Sequence, residues 1–155
     1  MSELRRILLA DDNANDVELT LAALRAGRLA YEVDVVRDGA EALAYLRRPD
    51  TRDDRARRHP AVVLLDLKMP KVDGLEVLRQ LKSDPVLKVI PVVVLTSSRE
   101  ESDLLRSYDL GANAYVVKPG EFQALIDAVK LLGGFWAVLN EPPPARSSEG
   151  GRHPL

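Results

Sequence analysis

The 155-residue sequence contains no cysteine. Disulfides, thiolate metal sites and cysteine nucleophiles are therefore excluded. Histidine is nearly absent as well. His59 and His153 are the only two, and both lie in polar stretches that read as loop and tail, which argues against a histidine-built metal site. Neither sign of charge dominates: 22 lysines and arginines face 24 acids, for a formal net charge of -2. That balance gives no reason to expect binding to nucleic acid or to an anionic membrane. The apolar run that opens at Ile7 meets Asp11 at once, so no signal peptide is read. No apolar run approaches the ~20 residues of a membrane span. Nucleotide loops are missing too: there is no Gly-x-x-x-x-Gly-Lys-Ser/Thr and no Gly-x-Gly-x-x-Gly. A cytoplasmic soluble protein is the expectation left standing.

What is present is a hydrophobic content of 46%, enough for one globular domain with a sizeable core. We place that domain at residues 1–140. From Glu141 the text is "EPPPARSSEGGRHPL", with no apolar pattern, and residues 141–155 read as a disordered tail.

Along the chain, apolar strand patterns alternate with helical ones. Arg5 to Ala10 predicts a buried strand. Asn13 or Asn15 can cap the helix that follows, with Val17, Leu21 and Leu24 on one face and Gly27 as its stop. Tyr31 to Val36 predicts a second strand, and Asp38-Gly39 a turn. Glu41 to Arg47 is helical, with Leu43 and Leu46 inward; "RPDTRDDRARRHP" (48–60) is a solvated, arginine-rich connection. Val62 to Asp66, Pro91 to Thr96 and Ala114 to Val117 predict three more strands. Gly74 to Leu81, Glu100 to Leu110 and Glu121 to about Leu139 predict three more helices; Leu75, Leu78 and Leu81 face inward on the first, and Gly111 stops the second. Strand and helix in fivefold alternation imply an α/β fold, a parallel sheet with helices on both faces. The third and fourth strands are apolar throughout, as strands covered on both sides must be.

In such sheets ligands bind beyond the carboxyl ends of the strands. Asp11 and Asp12 follow the first strand, Asp66 closes the third, Thr96 and Ser97 follow the fourth, and Lys118-Pro119 follows the fifth. Each has an ordinary reading alone: capping acids, a strand-ending threonine, a surface lysine. Together they are harder to dismiss. A small site cannot hold three ionised carboxylates without a counter-charge. A divalent cation supplies one, and Mg2+ suits a site of few carboxylates that must also accept water and phosphate oxygens. Asp66 would then be ionised and able to attack phosphorus, with Lys118 and Thr96 bonding the phosphoryl oxygens.

The motifs "LLADDN", "LLDLKMPKVDG", "VVVLTSS" and "YVVKP", in this order on alternating strands, resemble the response-regulator receiver domain of bacterial two-component signalling. The resemblance runs from about Arg5 to Leu139. It implies a flavodoxin-like (βα)5 doubly wound sheet of strand order 2-1-3-4-5. It implies that Asp66 is the phosphoacceptor, served by a sensor histidine kinase. Asp11, Asp12, Asp66 and the Lys68 carbonyl would hold Mg2+. Thr96 and Tyr115 would form the switch, Lys118 would bond the phosphoryl group, and Lys118-Pro119 would be cis. Lys68 and Ser98 would occupy positions that tune phosphoryl lifetime. The protein would be a signalling domain and not an enzyme with a turnover substrate. The haloacid-dehalogenase phosphatases, which also place a nucleophilic aspartate after a strand, need a second aspartate two residues on, and that position is Lys68. A scaffold that keeps the acids but is never phosphorylated is the alternative.

No effector domain follows in the sequence, so output is expected from a protein contact surface that includes Leu104, Leu105, Tyr108 and Tyr115. The ending "LLGGFWAVLNEPPP" carries Phe135 and the only tryptophan, Trp136, which either caps the helix end or makes a homodimer contact. This ending and the arginine-rich connection resemble the small regulators that serve bacterial phytochrome kinases.

Overall fold

The structure is a computed structural model and describes residues 5–26, 31–48 and 59–143. Gly27, most of the arginine-rich connection (49–58) and residues 144–155 lie outside the described residues.

Five strands form one parallel sheet: β1 (Arg5–Ala10), β2 (Tyr31–Val36), β3 (Val62–Leu65), β4 (Val92–Thr96) and β5 (Ala114–Val117), in the order β2-β1-β3-β4-β5. The helices between them are α1 (Ala14–Ala26), α2 (Gly39–Leu46), α3 (Gly74–Ser83), α4 (Glu101–Asp109) and α5 (Phe122–Leu132).

The period-two alternation of the strands sorts the core into two layers. Leu8, Ala10, Val63, Leu65, Val92 and Val94 pack under α2 and α3, with Leu43, Leu46, Val77, Leu78 and Leu81. Ile7, Leu9, Val62, Leu64, Val93 and Leu95 turn the other way, onto Val17 and Leu24 of α1 and Leu125 and Val129 of α5. This two-sided burial is why β3 and β4 are apolar without a break.

Strand order reverses between β1 and β3, both of which pair on either side. The register Ala10↔Leu65 means that the next residue of each strand, Asp11 and Asp66, emerges side by side at this switch point. At the other side, Thr96↔Val117 sets Lys118 just beyond Thr96, and Lys118 N–H donates to the Thr96 carbonyl at 2.7 Å.

The structure refines the sequence reading in several places. Asp38-Gly39 is not a free-standing turn: Asp38 is the N-cap of α2, accepting from Glu41 N–H at 2.7 Å, so the helix starts two residues before Glu41. Leu21 and Leu75 are half-buried but pack against the core as expected, while Thr20 and Val77 beside them are fully buried. Asp66 lies one residue past β3. The last helix runs as α-helix to Leu132 and continues as a π-helical segment over Gly133–Leu139.

That last stretch bears on the expectation about membrane spans. Phe122–Leu139 is 18 residues with a mean hydropathy of 1.5, long and apolar enough by length and composition to cross a membrane. Its buried side chains instead join the core beneath α1. Its final carbonyls, which a helix cannot pair internally, are taken up by Arg5: Nη1 donates to Asn140 O at 2.7 Å and to Val138 O at 3.3 Å.

Candidate functional site

The site forms where the strand ends converge. Asp11 is buried and Asp12 exposed; Asp66, Thr96 and Lys118 are all buried. Asp11, Asp12 and Asp66 each offer a carboxylate oxygen, and the three oxygens lie within 4.8 Å of one another. Oxygen donors of like charge at that spacing suit a hard divalent cation, and the site fits one on this donor chemistry.

Lys118 neutralises the buried part of the cluster. Its Nζ donates to Asp11 Oδ2 at 2.8 Å, Asp66 Oδ2 at 3.0 Å and Asp16 Oδ2 at 2.8 Å. Burial works against the ammonium, but the bonds to Asp11 and Asp16 and the charge of Asp66 outweigh it and hold the Lys118 pKa above the usual lysine value. Asp11 is pushed up, chiefly by burial; Lys118 and the Asn13 N–H, 2.9 Å from Asp11 Oδ1, oppose the shift, and the nearby Asp66 charge adds to it. A site with this balance gains by taking up further positive charge.

Local structure fixes each group. Asp66 N–H donates to Ala10 O at 2.9 Å and ties the nucleophile candidate to β1. Behind it, α3 starts so close that a side chain at Gly74 is excluded: a Cβ there would sit 2.3 Å from Asp66 O. Asp73 caps α3, accepting from Glu76 N–H at 2.9 Å. Between Asp66 and α3 the chain makes a tight three-residue turn, in which Val72 N–H donates to Pro70 O at 2.8 Å and Lys71 has φ 68°. Positive φ at a residue with a side chain is strained. The α2 N-terminus braces this turn. Lys71 Nζ is 3.4 Å from Asp38 Oδ2, and Gly39 packs so closely that a Cβ would lie 1.7 Å from Val72 O.

On the other side Thr96 is fully buried, with Oγ1 accepting from Ser98 N–H at 3.3 Å. Tyr115 is half-buried, and its hydroxyl donates to Ser98 O at 3.0 Å. Ser98 Oγ in turn donates to Asp103 Oδ2 at 2.6 Å, linking this loop to the first turn of α4. The expected switch pair therefore meets through Ser98.

The geometry brings Asp11, Asp12, Asp66 and Lys118 together. The Lys68 side chain is exposed; its backbone N–H faces Asp66 Oδ1 at 3.4 Å. Lys118-Pro119 is trans, since the described residues contain no cis peptide; this corrects the sequence expectation, and trans is the lower-energy isomer of an X-Pro bond. Sequence reasoning missed Asp16, Asp38 and Asp103. Of the expected contact residues, Leu104, Leu105 and Tyr108 on α4 are exposed, as is Phe135. Trp136 instead packs partly into the α1–α5 core, edge-on to Phe135 at 5.1 Å between ring centroids.

Known proteins are similar in sequence and fold. The regulator Rcp1 of Synechocystis is 39% identical over 130 residues, 84% of this chain and 87% of Rcp1. Its Mn2+-bound crystal structure superposes with a TM-score of 0.81 at 36% identity, covering 90% of this chain and 99% of the other. The phosphorylated cyanobacterial phytochrome response regulator RcpA gives a TM-score of 0.82 at 42% identity, over 91% of this chain and 99% of RcpA. The bacteriophytochrome response regulator RtBRR is 61% identical over 91% of this chain and 85% of its own, with a TM-score of 0.68. The response regulator receiver domain matches residues 7–130, and the chain, with its acids and lysine gathered at the strand ends of a 2-1-3-4-5 sheet, belongs to that family.

Proposed function

We propose that Asp66 accepts a phosphoryl group from the phosphohistidine of a sensor histidine kinase. One observation carries the reading: the Lys118 ammonium is shared by Asp66 and Asp11 at the sheet's switch point, with Asp12 beside them. An Asp66 carboxylate oxygen attacks phosphorus; the O–P bond forms as the P–N bond breaks, and the electron pair leaves on the imidazole nitrogen. Mg2+, held by Asp11, Asp12, Asp66 and the Lys68 carbonyl, would neutralise the phosphoryl oxygens. Lys118 donates to those oxygens and Thr96 supplies a hydroxyl. Attack by water on phosphorus later restores the carboxylate and releases phosphate, which makes the site a timer.

Residues 1–140 would form the receiver and 141–155 a tail. Phosphorylation would bias the β4–α4 loop through Thr96, Ser98 and Tyr115 and so the exposed face of α4, where Leu104, Leu105 and Tyr108 lie. We infer a cytoplasmic role beside a kinase of the bacterial phytochrome class; the likeness to the phytochrome regulators RcpA and RtBRR supports the second part of this reading. A homodimer through α4, α5 and the C-terminal segment would present the output surface, with no part for nucleic acid or membrane.

The test is incubation with Mg2+ and acetyl phosphate, read by intact mass beside Asp66→Asn. One added phosphoryl group, dependent on both Mg2+ and Asp66, is expected. An adduct that survives Asp66→Asn would overturn the assignment. No adduct, together with no Mg2+ binding, would favour the unphosphorylated scaffold.

A further inference from the structure

Lys118 has three N–H donors and all three are engaged, each by a different carboxylate. Two of these acids, Asp11 and Asp66, belong to the oxygen trio suited to a cation. The third, Asp16, does not. It sits in the first turn of α1, its side chain is 30% exposed, and its oxygen is as close to the ammonium as that of Asp11, 2.8 Å. An acid at this position of a helix is ordinarily read as a partner for the helix N-terminus. Here the helix already has its cap: Asn13 Oδ1 accepts from Asp16 N–H at 3.0 Å. The Asp16 carboxylate reaches across to the end of β5 instead.

We propose that Asp16 is a positioning residue for Lys118, a seat that keeps the ammonium beside the pocket while Asp11 and Asp66 are given over to a divalent cation and a phosphoryl group. This rests on the functional reading above. A lysine resting only on Asp11 and Asp66 lies over the oxygens that a cation needs, and the two positive charges compete for them. Asp16 offers the lysine an anion outside the trio. The ammonium can then loosen its hold on Asp11 and Asp66 without leaving the site, and its freed donors become available to phosphoryl oxygens. Asp16 also stands on a helix and not on a strand end, so its place does not depend on the loops that carry the other acids.

The proposal predicts non-additivity, which a double-mutant cycle reads. Mg2+ affinity is measured by calorimetry, without phosphodonor, on the full chain and on Asp16→Asn, Lys118→Ala and the double variant. Asp16→Asn keeps side-chain shape and removes charge. In the presence of Lys118 it is expected to weaken Mg2+ binding by about three- to tenfold, because the lysine is driven back onto the trio. Lys118→Ala is expected to tighten binding. In the Lys118→Ala background, Asp16→Asn is expected to change affinity by less than about twofold. Equal weakening in both backgrounds would mean that Asp16 acts through space as a charge, and would overturn the proposal; no weakening in either would do the same. A second readout follows the Lys118 NH3+ signal by 15N NMR. It should persist in the wild type on adding Mg2+, and broaden away in Asp16→Asn. If the wild type bound no Mg2+ and took no phosphoryl group, the functional reading itself would fall; a wild type that does both, with an additive cycle, would sink the Asp16 proposal alone.

Discussion

Lys68 shows how far a residue's position constrains its role. The sequence puts it two residues past Asp66, where a long cation invites the idea of a lid that slows attack by water. In the structure the side chain is exposed, and what faces Asp66 is the backbone N–H, at 3.4 Å. A backbone contribution survives truncation. Lys68→Ala is therefore expected to leave the rate of phosphate loss within about twofold of wild type, followed as decay of the phosphorylated mass after the donor is removed. A rise of tenfold would restore the lid. The acids that were legible from sequence, Asp11, Asp12 and Asp66, each follow an apolar strand run, and it is their convergence at one sheet edge that ordinary capping does not explain. Asp16 was not legible because its partner is 102 residues away and its setting, a polar helix start, is where acids are commonplace.

At the scale of elements, strands were read more closely than helix starts. A strand buried on both faces announces itself by composition, whereas the start of α2 depends on the Asp38 carboxylate accepting from the Glu41 N–H and on the absence of a Cβ at Gly39. That absence has a function-level consequence, because the strained turn at Lys71 lies in the loop that carries the Lys68 carbonyl. Gly39→Ala forces a Cβ into Val72 O, so it should cost roughly 1–3 kcal/mol in urea unfolding, the usual range for overpacking, and should also weaken Mg2+ binding. Unchanged values for both would show that the loop yields freely. The start of α3 makes a separate prediction about pH. Glu76 is bonded by Arg79 and Gln80 and its pKa is lowered to about 2 from 4.5. A carboxylate depressed in the folded state contributes stability that is present above the unfolded value and is lost as pH falls through the folded one. Wild type and Glu76→Gln should therefore differ most above pH 4.5 and converge towards pH 2, monitored as urea midpoints by circular dichroism. A constant difference across that window would remove Glu76 from the account.

For the whole molecule, the question is which surface is left for a partner once the core is satisfied. The sheet spends its apolar residues on two layers, and the described helices differ sharply in what they bury. In α4 the one fully buried side chain is Ser107, while Leu105 and Tyr108 are 57% and 51% exposed. The C-terminal segment divides its aromatics: Trp136 turns towards the α1–α5 core and Phe135 stays outside, as do Leu131 and Leu139, which are 75% and 76% exposed. Composition alone could not make that division, because two adjacent aromatics after a glycine pair give no phase for a helix that changes its pitch at Gly133. The consequence separates two variants that the sequence would have treated alike. Trp136→Ala removes part of the core and should lower stability by a few kcal/mol, less than the ~3–5 of a fully buried aromatic, with little effect on the proposed homodimer. Phe135→Glu and Leu105→Glu remove exposed apolar contacts and should leave stability near wild type while shifting sedimentation towards the monomer. If the proposed homodimer forms and Trp136→Ala alone dissolves it, the tryptophan would be an anchor across that interface, and its place against α1 would be a feature of the isolated chain.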